Sequence, residues 1–199
     1  MSNLIPTLRV AVIGENSSLL IQELGVSESS LESAHVAIFI VSAASGIVTA
    51  DLEKWRTARE LYIPSIVAIS DLESSDIDFE DMTAIASKML DPVVTPFLVL
   101  HSDEGSPAAL INLETFQIVD YSTGVVSFHE ADTEHIELTK EFREEYVEAL
   151  EDAGEDSFEA ALLFPALPWI AGSGMGITQI QQYLNLVPVL SYGVSSFLK

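Results

Sequence analysis

No cysteine occurs among the 199 residues. A disulfide framework, a thiolate zinc site and a thiol nucleophile are therefore excluded outright. Positive charge is scarce as well: 8 lysines and arginines stand against 31 aspartates and glutamates, a formal net charge of −23. Such a surface repels phosphate backbones and anionic lipid headgroups, so neither nucleic-acid nor membrane binding is expected. It favours instead a protein partner with a basic surface. The longest apolar run, Val36-Ala37-Ile38-Phe39-Ile40-Val41, falls far short of the roughly 20 residues that span a bilayer. The opening Met1-Ser2-Asn3-Leu4-Ile5-Pro6 has neither the basic nor the apolar stretch of a secretory leader. An intracellular, cytoplasmic protein is expected.

What is present is enough to build a core: 48% of the residues are hydrophobic, and the length suits one domain over residues 1–199. Leu8 to Ile13, Val36 to Val41, Ile66 to Ile69 and Pro96 to Leu100 are short, β-branched and almost wholly apolar. Runs of this kind suit strands covered on both faces, as in a parallel sheet. Between them lie helical patterns. One is capped by Ser17 or Ser18 and stopped at Gly25; a second is capped by Thr49 or Asp51 and buries Leu52, Trp55 and Ala58; a third runs through Met82, Ile85, Ala86 and Met89. The alternation predicts an α/β fold with a mostly parallel sheet. Strands are expected near Val10, Phe39, Val67, Leu98 and Ile170, all parallel, with Trp55 packed on the sheet.

Residues 105–160 break the alternation. Ala108 to Leu113, Phe116 to Tyr121 and Val125 to Phe128 read as an antiparallel meander. A long acidic helix follows from about Asp132 to Ala153, with Leu138, Phe142, Ala149 and Ala153 as its expected buried stripe. The segment has the look of a small antiparallel β plus helix insertion.

Several stretches, in order, resemble the nucleotide-binding domain of translational GTPases, most closely elongation factor G. The clearest runs from Gly46-Ile47-Val48 through Trp55-Arg56-Thr57-Ala58 to Pro64-Ser65-Ile66-Val67-Ala68-Ile69. Pro107 to Tyr121 is similar to the small insert of that factor, and the acidic helix to the one after it. Pro168 to Ile177 resembles the final strand and its Gly-Ser turn, and Leu186-Val187-Pro188 the usual end of the domain. The likeness covers most of residues 8–188. It implies a three-layer P-loop GTPase-like domain.

The positions that would carry the family's chemistry depart from its pattern. A phosphate loop needs Gly-x4-Gly-Lys-[Ser/Thr], so that backbone N–H groups and a lysine offset phosphate charge. The corresponding turn here is Gly14-Glu15-Asn16-Ser17-Ser18, short, without lysine, and with Glu15 where phosphate would sit. In place of the guanine-recognising Asn-Lys-x-Asp stands Ser70-Asp71-Leu72-Glu73. Residues 26–34 leave no room for a switch segment and an Asp-x-x-Gly turn. With these parts missing, GTP hydrolysis has no machinery. The resemblance therefore implies a non-catalytic, pseudo-GTPase protein that works by binding or regulating a partner. The alternative is a nucleotide-binding relative with an atypical phosphate loop. The degenerate positions are Gly14, Glu15, Ser17, Ser18, Ser70, Asp71, Glu73 and Ser173; no catalytic residue, cofactor or metal is expected.

Sharper readings of single motifs have plainer rivals. Ser17 and Ser18 could help a helix N-terminus hold a small anion, but Glu15 opposes one and a simple cap suffices. His129-Glu130-x-Asp132-x-x-His135 lacks metal-binding spacing, and Asp132 serves as a helix cap with solvated histidines beside it. Ser173, between Gly172 and Gly174, reads as a turn residue rather than a nucleophile. His101, Asp103 and Glu104, at the end of the Leu98 strand, are expected near the ligand edge of an α/β sheet. There Asp103 and Glu104 would join Glu15, Asp71 and Glu73 in a group of mutually repelling carboxylates.

Overall fold

The computed structural model of the protein describes residues 8–189. The first six residues, read above as unlike a leader, lie outside the described residues. A six-stranded sheet forms the centre: β1 (Arg9–Ile13), β2 (Ser27–Glu28), β3 (Val36–Ser42), β4 (Ser65–Ser70), β5 (Val93–Val94) and β10 (Phe164–Pro168). Their order is β2-β1-β3-β4-β10-β5, and every adjacent pair is parallel. Val10 stands opposite Val36 and Ile38 opposite Ile66. Every residue of β3 and β4 is buried, which is why these strands read as unbroken apolar runs.

The strand expected at Leu98 is elsewhere. Phe97–His101 is β6, the first strand of a separate antiparallel sheet ordered β6-β7-β8-β9. Its other members are β7 (Pro107–Asn112), β8 (Gln117–Asp120) and β9 (Ser127–Glu130). In the parallel sheet the vacant place beside β10 is filled by the two residues of β5. Pro96, which has no N–H to donate, separates β5 from β6 and lets the chain change sheets. The apolar character of β6 has a different cause from the expected one. Phe97 and Val99 pack into the main core, whereas Leu98 packs into a second one with Ala109, Ile111, Leu113, Ile118 and Tyr146. The final parallel strand also shifts. It is Phe164–Pro168, and Ile170 lies past its end, donating its N–H to the Met175 carbonyl within the following turn.

Among the described residues five α-helices cover these sheets: α1 (Ser17–Leu24), α2 (Thr49–Glu60), α3 (Phe79–Met89), α4 (Thr133–Ala153) and α5 (Ile177–Leu186). Trp55 of α2 packs on the parallel sheet as expected, edge-on to Phe39 at 4.9 Å and to Phe164 at 5.2 Å. Its indole N–H donates to Asp91 at 2.7 Å, so the one polar atom of a buried side chain is satisfied. The caps differ from the expected ones. Ser17 and Ser18 lie inside the first turn of α1, whose N-cap is Asn16 at φ 59 with no side-chain hydrogen bond. Val48, rather than Thr49 or Asp51, occupies the N-cap of α2. Asp132 does cap α4, accepting from the His135 N–H at 3.0 Å.

The buried stripe of α4 is rotated from the expected one. Thr139 and Tyr146 are buried, whereas Leu138 is 70% exposed and Phe142, 38% exposed, lines a cleft with Thr83 and Ala84 of α3. Two polar side chains share the inner face: Thr139 Oγ1 donates to the His135 carbonyl at 2.8 Å, and the Arg143 guanidinium lies 5.2 Å over the Phe116 ring, its buried Nε without a hydrogen-bond partner among the described residues.

Candidate functional site

In a parallel α/β sheet, ligands collect at the carboxyl ends of the strands, where loops emerge and helices begin. Here that edge is formed by the exits of β1, β3, β4 and β10. The β1 exit is the tightest. Only Gly14, Glu15 and Asn16 separate Ile13 from the start of α1. Gly14 adopts φ 119, and a Cβ there would lie 2.6 Å from the Ile40 carbonyl oxygen and 2.9 Å from Ile40 Cβ. The turn is thus pressed onto β3. The Asn16 carbonyl accepts from Leu19 and Leu20, starting α1 at once. A loop that wraps a phosphate needs several residues standing off from the sheet, and this one has none to spare.

The other exits are laced to one another. The Ser42 hydroxyl accepts from the Ala44 and Ser45 N–H groups, and Ser45 Oγ lies 3.5 Å from a carboxylate oxygen of Glu15. The Ala43 N–H donates to the Ser70 carbonyl, and the Ser75 hydroxyl to the Ala43 carbonyl. Ser70 itself is buried and donates through its hydroxyl to Asp71 at 3.0 Å. Asp71 takes φ 60 and leads into a single 3-10 turn, Leu72–Ser74, that carries Glu73 on its exposed side. The Ser173 hydroxyl donates to the Ile170 carbonyl at 2.8 Å and accepts from the Met175 N–H at 3.0 Å. Both capacities of that hydroxyl serve the turn.

One residue central to this edge carries no sequence signature. Glu23 of α1 accepts the indole N–H of Trp169 at 2.9 Å through one oxygen and the Gly172 N–H at 2.7 Å through the other. It clamps the β10–α5 loop against α1 across 146 positions of sequence. Trp169 has no solvent exposure, so the carboxylate is the means by which its indole is satisfied. The same loop is held from below by Gly176, at φ 89, where any Cβ would collide with the Pro168 carbonyl.

The expected gathering of five carboxylates divides in two. Glu15, Asp71 and Glu73 follow β1 and β4 at the carboxyl edge of the parallel sheet. Asp103 and Glu104 lie instead in the exposed turn joining β6 to β7 of the antiparallel sheet, and the exposed His101 ends β6 beside them. There His101 and Asp103 share a cleft of about 360 Å³ with His129, His135 and Asp120. Local hydrogen bonds explain the acids of that region. The Ser122 hydroxyl and then its N–H hold Asp120 below the ordinary carboxyl value, and the His135 N–H and then its ring do the same for Asp132. His135 Nδ1 stands 2.8 Å from Asp132, a helix-start contact. Among the described residues no group of three His, Asp or Glu side chains is placed to hold a metal ion.

No protein-family model matches the chain. Among solved structures it is similar to a protein of Thermus thermophilus, with 22% sequence identity and a TM-score of 0.68. That likeness covers 80% of this chain and 27% of the other, so the chain spans about a quarter of that protein's length. At such identity the likeness bears on the fold. The chain is an α/β protein with a parallel six-stranded sheet and a small antiparallel four-stranded one. No helix among the described residues is long and apolar enough to cross a membrane.

Proposed function

We propose that this protein is a non-catalytic, P-loop GTPase-like domain, a pseudo-GTPase related to elongation factor G, that acts by binding or regulating a protein partner with a basic surface. The observation that carries the reading is the β1 exit: three residues, with Gly14 pressed against Ile40, and Glu15 where a phosphate would require positive charge. The Asp71 and Glu73 carboxylates at the β4 exit oppose the same ligand. The parallel strand order and the Trp55 packing support the kinship. A net charge of −23 supports the choice of partner.

A second reading has one observation behind it. α1 begins without a side-chain cap, so its first-turn N–H groups have no side-chain acceptor, and an atypical nucleotide site could use them. Thermal melts with ~1 mM GTP or GDP and magnesium separate the two. The non-catalytic reading expects no shift; stabilisation by guanine but not adenine nucleotides beyond about 1 kcal/mol refutes it.

A further inference from the structure

A cleft of about 380 Å³ opens between the β7–β8 turn, the loop after α4 and the face of α5. Its floor is apolar, with Phe97, Tyr146 and Phe158 almost wholly buried beneath it, Tyr183 half-buried, and Leu150 and Leu186 at its sides. Four carboxylates stand around it: Glu114 from the turn, and Glu155, Asp156 and Glu159 from the loop. Among the described residues that line it there is no lysine, arginine or histidine. The acids therefore converge from two separate parts of the chain over a hydrophobic floor. A solvated helix face would spread them apart instead.

The walls are built rather than loose. The Asn112 side-chain oxygen accepts from the N–H groups of Glu114 and Thr115, at 2.8 and 2.9 Å, fixing the turn. The loop closes on itself, with the Ser157 carbonyl accepting from Leu162 at 2.8 Å and the Asp156 carbonyl from Ala160 at 2.9 Å. Phe158 meets Tyr183 edge-on at 5.1 Å. Burial pushes the hydroxyls of both Tyr146 and Tyr183 upward, and the negative charge of Glu114 pushes in the same direction, so both rings stay neutral phenols.

We infer that this cleft binds an organic cation, an ammonium or guanidinium group carried on an apolar chain or ring. The apolar floor takes the carbon chain or ring, and the surrounding carboxylates offset the charge of the cationic end. The volume exceeds what a bare ammonium needs, which leaves room for the attached carbon chain. The ligand's source is a free amine or a lysine or arginine side chain; only the latter rests on the partner-binding reading above.

The test compares two variants of the full chain that each remove three negative charges. One is Glu114→Gln, Glu155→Gln, Asp156→Asn in the cleft; the other is Glu137→Gln, Glu141→Gln, Glu144→Gln on the outer side of α4. Benzylammonium and a blocked Ala-Lys-Ala peptide are titrated into each while the Tyr146 and Tyr183 ring signals are followed by NMR. The expected result is saturable shifts of both rings, with affinity at least tenfold weaker in the cleft variant and changed less than twofold in the α4 variant. Tighter binding of the free amine identifies a small molecule as the source, and tighter binding of the peptide identifies a protein side chain. Equal weakening in the two variants reduces the effect to net charge and overturns the inference, as does the absence of ring shifts at ~20 mM probe. Nucleotide binding would refute the proposed function while leaving this result standing. Partner capture that survives the cleft variant unchanged would do the reverse for the protein source.

Discussion

Replacing Glu23 by alanine removes the acceptor of two charge-assisted hydrogen bonds at once. The Gly172 N–H is exposed and recovers a water, so its loss is small. The indole N–H of Trp169 belongs to a side chain with no exposure and is left without a partner. An orphaned buried donor costs about 1–3 kcal/mol, and a lost hydrogen bond to a charged group about 1.5–3 kcal/mol. A net destabilisation of about 3 kcal/mol follows, which for a chain of this size lowers Tm by about 6–12 °C. Glu23→Gln retains one acceptor but turns an amide toward the second donor, and is expected to lose roughly half as much. Urea melts followed by far-UV circular dichroism measure both. The decisive comparison is a double-mutant cycle with Trp169→Phe, which deletes the donor while keeping most of the ring. In that background Glu23→Ala is expected to cost about 1.5–2 kcal/mol less than in the wild type. Equal costs in the two backgrounds, or a loss below about 0.5 kcal/mol in the wild type, would refute the clamp.

Gly14→Ala forces φ 119 on a residue with a side chain and drives its Cβ into Ile40; a loss of about 2–5 kcal/mol in urea melts is expected, and a neutral result would mean that the β1 exit is looser than described. His35 Nδ1 accepts the Arg9 N–H at 3.2 Å, and burial, then the Arg9 charge, hold the ring's pKa below its ordinary value. A depressed folded-state pKa gives stability that is present above about pH 6.5 and lost as pH falls through the folded value, so His35→Gln is expected to flatten the stability slope as pH falls below about 6.5. An unchanged slope would assign that dependence to other groups. With a formal net charge of −23, the protein is expected to be more stable at ~0.5 M than at ~0.02 M sodium chloride, with or without nucleotide; identical denaturation midpoints would show that its carboxylates are too far apart to repel.

The parallel core is legible in the sequence because β3 and β4 are buried on both faces, and such burial leaves almost nothing but apolar residues to see. The same signal misleads at β6. Two-sided burial is real there, but the second side belongs to another core, and a run of apolar residues does not reveal which neighbour covers it. The last parallel strand is expected a few residues late, at Trp169 to Ala171, because the strand itself carries Pro165 and Pro168, residues that interior strands ordinarily exclude. On α4 the hydrophobicity of Leu138 points to the wrong face, since Thr139 sits inward with its hydroxyl bonded to the backbone and Arg143 inward over the Phe116 ring. At the candidate site, the short Gly14 turn is readable from spacing. Glu23 is not, because its partners lie 146 and 149 positions away and a glutamate on a short helix has no distinguishing context.

The last strand of the antiparallel sheet has a consequence for the protein's behaviour in bulk. Every residue of β9 is exposed, and among the described residues no further strand pairs with its outer side. Val125 is 73% exposed and Phe128 61%. An open edge of this kind, with an exposed phenylalanine on it and Val125 just before it, is a template on which other chains can stack. Neither a proline nor a lysine guards it; Glu130 stands at its end, and the repulsion between whole molecules does the rest. Colloidal protection of that sort is a property of pH rather than of the fold. It vanishes near the isoelectric point of about 4.1, where the molecules stop repelling one another while the edge stays bare.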